Sequence, residues 1–251
     1  SGMALIWQPT AEGFVIRPAI APNQALSNNA MPSSATGNTT ASAFSQGMDL
    51  SGNTSIAVTN GTLNLNGAGS SYGVLLGGGN ATLSAAAGTN LNITGQGVYN
   101  GGSGVQARGV TINSGNITSS GNVTVTGMGS VNGDGLYLVG QNIGINVTSG
   151  NLSLVGNSSA GGFSGVNLSS SNLTVNSTGG ALSIYGVTGS GLSSHGVLAT
   201  NATLNVTGAI NLSGSAASTS SVYGGISMTN STLTATGDVS VVASAANSFL
   251  G

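Results

Sequence analysis

From residue 47 onward the chain is written in short runs where aliphatic residues alternate with Asn, Ser or Thr. Ala81-Thr82-Leu83-Ser84-Ala85, Leu91-Asn92-Ile93-Thr94, Leu173-Thr174-Val175 and Leu182-Ser183-Ile184 are examples. A period of two places the apolar side chains on one face of a strand and the polar ones on the other, so each run predicts a strand buried on one side. No segment carries the 3.6-residue period of a helix. Glycine and Asn-Gly or Ser-Gly pairs separate the runs and supply the positive-φ positions that tight turns need.

These runs recur as a repeat of about thirty residues, opened by Gly, an aliphatic residue, a variable position and usually another apolar one. The openings are Gly47-Met48-Asp49-Leu50, Gly73-Val74-Leu75-Leu76, Gly104-Val105-Gln106-Ala107, Gly135-Leu136-Tyr137-Leu138, Gly165-Val166-Asn167-Leu168, Gly196-Val197-Leu198-Ala199 and Gly225-Ile226-Ser227-Met228. Three strands per unit at near-constant length are what one rung of a parallel β-helix requires. The expected fold is therefore all-β, a right-handed parallel β-helix of about seven three-stranded rungs over residues 47–251, rising about 34 Å at the usual strand spacing. A propeller blade, with four strands in about 40 to 50 residues, fits the period less well.

Residues 1–46 break the repeat. They hold all four prolines, the single tryptophan Trp7 and one of the two arginines. A stack of rungs leaves an open end that must be covered, so Trp7, Phe14, Val15 and Ile16 are expected to form a non-repetitive cap or flanking strand. A linker or a small recognition element is the alternative. Ser1-Gly2-Met3 reads as an expression remnant, and the natural protein is expected to extend beyond both ends.

Composition narrows the function. Gly, Ser, Asn and Thr number 44, 39, 28 and 26, over half of 251 residues. Disordered chains with that mixture lack aliphatic residues, whereas 39% of this chain is hydrophobic and its mean hydropathy is +0.28. Charged residues are only 2%, with a net charge of −2. Arg17 and Arg108 are too few to neutralise the phosphates of a nucleic acid or an anionic membrane, so neither is an expected partner. Glu12, Asp49, Asp134, Asp238 and His195 are scattered along the chain and meet only if the fold stacks distant segments. Catalytic and metal sites need such groups clustered, so no enzyme activity, cofactor or metal is expected. Cysteine is absent, and no apolar run approaches the roughly 18 residues of a membrane-spanning helix.

The rungs, in segments such as GNVTVTG at 121–127, TNLNITGQG at 89–97 and SNLTVNSTGGALSIYG at 171–186, resemble the repeat regions of large two-partner secretion exoproteins. These are the filamentous haemagglutinins, the high-molecular-weight adhesins and the sticks of contact-dependent inhibition effectors. The resemblance spans residue 47 to the end. Secretion-domain motifs built around Asn-Pro-Asn are missing, which makes this an internal stretch of such a fibre. The resemblance implies export through an outer-membrane transporter partner and display at the surface of a Gram-negative cell. It also implies attachment to a protein or glycan receptor on host cells or bacteria, with self-association a further possibility. The alternative within the family is the stick or receptor-binding region of a contact-dependent growth inhibition effector.

Two groups of residues are candidate sites. The loop ending each rung varies in sequence, and in-register stacking should bring these loops to one side of the rod. They carry Tyr72, Tyr99, Asp134, Phe163, His195 and Tyr223, aromatic residues among small polar ones, as in contact surfaces; the alternative is that each ring covers its own rung. Arg108 and Asp134 bracket the second full rung and could pair, although an exposed pair would contribute little. The second group comes from Asn-X-Ser/Thr, which includes 17 of the 28 asparagines. Strand alternation itself enriches this pattern. The resemblance to the high-molecular-weight adhesins makes Asn92, Asn122, Asn146, Asn172 and Asn205 candidate glycosylation sites. An ice-binding solenoid would repeat Thr-X-Thr in successive rungs, whereas it occurs at Thr124-Val125-Thr126 and at Thr234-Ala235-Thr236 with the overlapping Thr232-Leu233-Thr234, and the other rungs do not repeat it.

Overall fold

A computed structural model describes residues 5–10, 13–18, 26–27, 34–38, 46–52, 54–77, 81–99, 106–130, 132–141, 143–159, 162–190, 195–217 and 224–246, with side chains from residue 46 onward except 170–173. The described residues form a parallel β-solenoid with three sheets and no helix. The first sheet stacks Gln46–Ser51, Tyr72–Gly77, Arg108–Asn113, Leu136–Val139, the start of Val166–Ser177, the start of Val197–Val206, and Ile226–Thr229. The second stacks Ser55–Val58, Thr82–Ala85, Asn116–Ser119, Gly144–Val147, the ends of the same two long strands, and Thr232–Ala235. Thr62–Gly69, Asn90–Gly97, Asn122–Gly129, Leu152–Ser158, Leu182–Thr188, Ile210–Ala216 and Val239–Ala245 make the third. Every pairing among these strands is parallel, so equivalent residues of successive rungs lie directly over one another.

Alternation decides what fills the interior. The third sheet points Leu65, Ile93, Val125, Leu154, Ile184 and Leu212 inward as one column, each 2% exposed or less. The first sheet adds Met48, Val74, Val110, Leu136, Val166 and Val197, and the second Ile56, Leu83, Ile117, Ile145, Val175 and Leu204. A continuous apolar column results, with no single centre. Polar residues that turn inward at the corners are satisfied locally: Thr54 and Thr89 donate to the carbonyls of Ser51 and Ala86, each at 2.7 Å.

Glycine has a sharper role than turn-making. Gly67, Gly95, Gly127, Gly156, Gly186 and Gly214 form one column in the third sheet, facing Gly73, Gly109, Gly135, Gly165, Gly196 and Gly225 in the first. A Cβ on any of the first set would lie 2.0–2.2 Å from the carbonyl oxygen of its partner. Backbone therefore meets backbone along the seam between these sheets, and the unit-opening glycine is required by that approach.

One opening is placed differently from the sequence reading. The third unit starts at Gly109-Val110-Thr111-Ile112, in register with Gly135-Leu136-Tyr137-Leu138, and not at Gly104. Gly104 and Val105 lie outside the described residues, and Gln106 and Ala107 precede the strand. A longer loop ahead of this strand shifted the unit, and Gly-Val occurs at both places. The N-terminal stretch is non-repetitive in sequence, yet its backbone joins the stack. Gly13–Pro18, Leu26–Ser27 and Ser34–Asn38 pair in parallel with the three strands of the first rung, and Leu5–Thr10 adds antiparallel to Gly13–Pro18. Among the described residues no helix is long and apolar enough to cross a membrane.

Candidate functional site

The outer faces of the second and third sheets carry the ladders that alternation predicts. Asn92 Nδ2 donates to Asn64 Oδ1 at 2.8 Å, Asn122 Nδ2 to Asn90 Oδ1 at 3.0 Å, and Asn205 Nδ2 to Asn176 Oδ1 at 3.4 Å. In these three glycosylation candidates the nitrogen that would bear a sugar is already a rung-to-rung donor. Asn146 stands on the second sheet between Thr118 and Asn176. The side chain of Asn172 lies outside the described residues.

The outer face of the first sheet is chemically different. Two residues before the first core position of each rung, the stack reads Gln46, Tyr72, Arg108, Asp134, Ser164, His195 and Gly224. Three residues further along, the adjacent column reads Asp49, Leu75, Thr111, Tyr137, Asn167, Leu198 and Ser227. Of the described Asp, Arg and His side chains, Asp49, Arg108, Asp134 and His195 stand in these two columns, and Asp238 is on the exposed turn before the last strand. Residues separated by scores of positions are thereby gathered on one face.

Their centre is a cleft of about 350 Å³ lined by Gln106, Arg108, Asp134, Tyr137, Phe163, Ser164, Asn167, His195 and Leu198, with Gly162 at its edge. Arg108 Nε lies 3.8 Å from Asp134 Oδ2, and the two side chains are 14% and 5% exposed. Asp134 is buried and Arg108 largely so, unlike an exposed pair, which would contribute little. Stacking places Tyr137 beneath the guanidinium, whose centre is 4.2 Å from the ring centroid. Tyr72 lies on the other side at 5.9 Å. Arg108 also donates from Nη2 to Gln106 Oε1. These contacts hold the guanidinium in a desolvated setting where cation–π attraction is stronger than at an open surface.

Asp134 accepts from the backbone N–H of Ser164 at 2.8 Å and from Asn167 Nδ2 at 3.3 Å through the same oxygen, Oδ1. Burial nevertheless raises its pKa above 3.8, outweighing Ser164, Arg108 and Asn167, which pull it down. Burial also raises Tyr137 above its ordinary range. His195 sits against the backbone of Gly224, 3.3 Å from Nδ1, and burial holds its pKa below 6.5, favouring the neutral ring at pH 7.

Four buried side-chain atoms among the described residues have no hydrogen-bond partner: Asp49 Oδ1, Arg108 Nε, Thr111 Oγ1 and Asn167 Oδ1. All four belong to this face, and Arg108 and Asn167 line the cleft. Native proteins rarely leave such atoms unpaired.

Of the residues singled out in the sequence, Asp134, Phe163 and His195 line the cleft, and Tyr72 reaches it through Arg108. Tyr99 is half-buried in the loop after Asn90–Gly97 and is not among the lining residues, while Tyr223 lies outside the described residues. The sequence points to Arg108 only as a partner for Asp134, and does not single out Tyr137, Asn167 or Leu198 as site residues. Tyr137, Asn167 and Leu198 all occupy the variable third position of the opening motif, so the repeat carried the signal once that position is read as a column. Among the described residues, no three His, Cys, Asp or Glu side chains come together in a way that would hold a metal ion. Comparison with protein-family models, with curated proteins and with solved structures finds no match.

Proposed function

We propose that this chain is a rod-forming segment of a large secreted exoprotein of the two-partner secretion type, displayed on a Gram-negative surface, and that it acts in attachment. The observation that carries the reading is the contrast between faces of one rigid solenoid. Two outer faces are Asn, Ser and Thr ladders, while the first sheet carries four of the five described Asp, Arg and His side chains, three of them lining an aromatic cleft. A scaffold with a constant rung and a single chemically distinct face is suited to presenting a contact surface at a distance from the cell. The scarcity of charge supports rod-to-rod association as well, because weak repulsion leaves neighbouring ladders free to pair. The outer-membrane transporter partner and the surface location belong to the same proposal and rest on the resemblance of the repeats.

The cleft is read as a binding site and not a catalytic one. Asp134 is the carboxylate lining it and is held by Ser164, Asn167 and Arg108. Glycoside cleavage, the reaction β-helices would most readily host here, draws on a pair of carboxylates.

Incubating the purified chain with epithelial cells and with bacteria, beside sedimentation over a range of concentrations, tests the reading. Saturable cell binding or concentration-dependent association is the expected result. An intact exoprotein that neither binds cells nor self-associates would overturn it.

A further inference from the structure

The cleft on the first sheet has a composition that selects among ligands. Its charges cancel internally: Arg108 faces Asp134 at 3.8 Å, stacks on Tyr137 and donates to Gln106, so its charge is already answered. An anion entering here would meet no uncompensated cation, and a cation no free carboxylate. The rest of the polar lining is uncharged and mixed in kind: the amides of Gln106 and Asn167 carry both donors and acceptors. A hydroxyl group also donates and accepts, so a molecule with several hydroxyls suits such a lining. Beside these atoms the lining supplies apolar surface from Phe163 and Leu198. The combination of apolar walls with a few fixed polar groups, in a volume at the lower end for small-molecule sites, matches a pyranose, whose C–H face is apolar and whose rim carries hydroxyls.

We propose that the cleft formed by Arg108, Asp134, Tyr137, Phe163, Asn167 and His195 binds a neutral saccharide residue, with its hydroxyls on the polar side chains of the lining and its C–H face lying on Phe163. Asp134 and Tyr137 are positioning residues in this arrangement: they fix the orientation of the guanidinium and of the Asn167 amide, whose Nδ2 is already given to Asp134. The proposal rests on the attachment reading above and names the chemistry that the site would recognise.

The test is a binding titration of the 251-residue chain with neoglycoconjugates of galactose, glucose, mannose, fucose, N-acetylglucosamine and N-acetylgalactosamine, alongside sialic acid and glucuronic acid conjugates. At least one neutral conjugate should bind, and free sugar should compete. Asn167→Leu removes the amide and Phe163→Ala the apolar wall. Each should weaken binding about tenfold or more, a loss of about 1.4 kcal/mol, while Tyr185→Ala on the outer face of the third sheet changes nothing. Circular dichroism of each variant separates lost binding from lost fold. If Phe163→Ala does not fold, Asn167→Leu and Asn167→Ser still decide the question. Binding of acidic conjugates alone, binding indifferent to both substitutions, or no binding by any conjugate would overturn the proposal. If cell attachment persists in Asn167→Leu while no sugar binds, the attachment reading stands without this site. If the intact exoprotein neither attaches nor self-associates, both fall.

Discussion

Gly127 and Gly135 bring two strands into a contact that no side chain permits. A Cβ at 127 would sit 2.0 Å from the Gly135 carbonyl oxygen, and the obstacle is backbone that cannot rotate away. Gly127→Ala is expected to cost about 3 kcal/mol, the upper range for overpacking a rigid site. Gly88→Ala tests a different use of glycine. Gly88 has φ of 75° with open space around it, so only the left-handed conformation resists, at about 1 kcal/mol. Urea unfolding of the two variants should reproduce that order; equal losses would mean that the seam relaxes. Asp134 gives a pH signature at the same scale. Its folded pKa is raised above 3.8, so the native state holds a proton that the unfolded chain has released, and its contribution falls as pH rises above 3.8 through the folded pKa. Wild type should therefore lose stability relative to Asp134→Asn over that rise, as followed by thermal melting of both proteins. His195 contributes in the opposite sense, losing stability as pH drops below 6.5, but it is common to both proteins and cancels in the difference.

At the scale of the strand, inside and outside contribute unequally. Leu154 is fully buried in a column of like residues, and Leu154→Ala leaves a void that neighbouring rungs cannot close, with an expected loss of about 2–5 kcal/mol. Asn92→Ala removes one amide hydrogen bond from a ladder partly open to water, an expected loss of about 1 kcal/mol. Similar losses in chemical denaturation would mean that the ladders hold the stack as firmly as the core. In Asn92, Asn122 and Asn205 the sequon amide is one of these rung-to-rung donors.

For the whole molecule, each rung touches chiefly the rungs beside it, so stability accumulates along one dimension. The last rung shows the consequence. Val239 and Val241 continue the core columns of the third sheet, yet they are 50% and 54% exposed, whereas Ile210 and Leu212 in the rung before are 2% or less. Hydrogen exchange should release the amides of 226–245 well before those of 122–188. Uniform protection across both stretches would contradict a stack that frays from its end.

Much of this molecule was present in its sequence. Alternation fixed which residues face inward, the thirty-residue period fixed three strands per rung, and the recurring glycine marked the seam, because strand geometry and steric exclusion act on neighbours along the chain. Only the third unit was misplaced, where a longer loop offered a second Gly-Val five residues early. The cleft could not be read in the same way. Arg108, Asp134, Asn167 and His195 are separated by whole rungs, and their contact depends on which positions stack into one column. Register also buried the Arg108–Asp134 pair under Tyr137 and brought Phe163, Asn167 and His195 to one cleft. Those are properties of three-dimensional packing: a linear pattern sets the direction of each side chain, and only the stacked sheets decide which distant side chains share a surface.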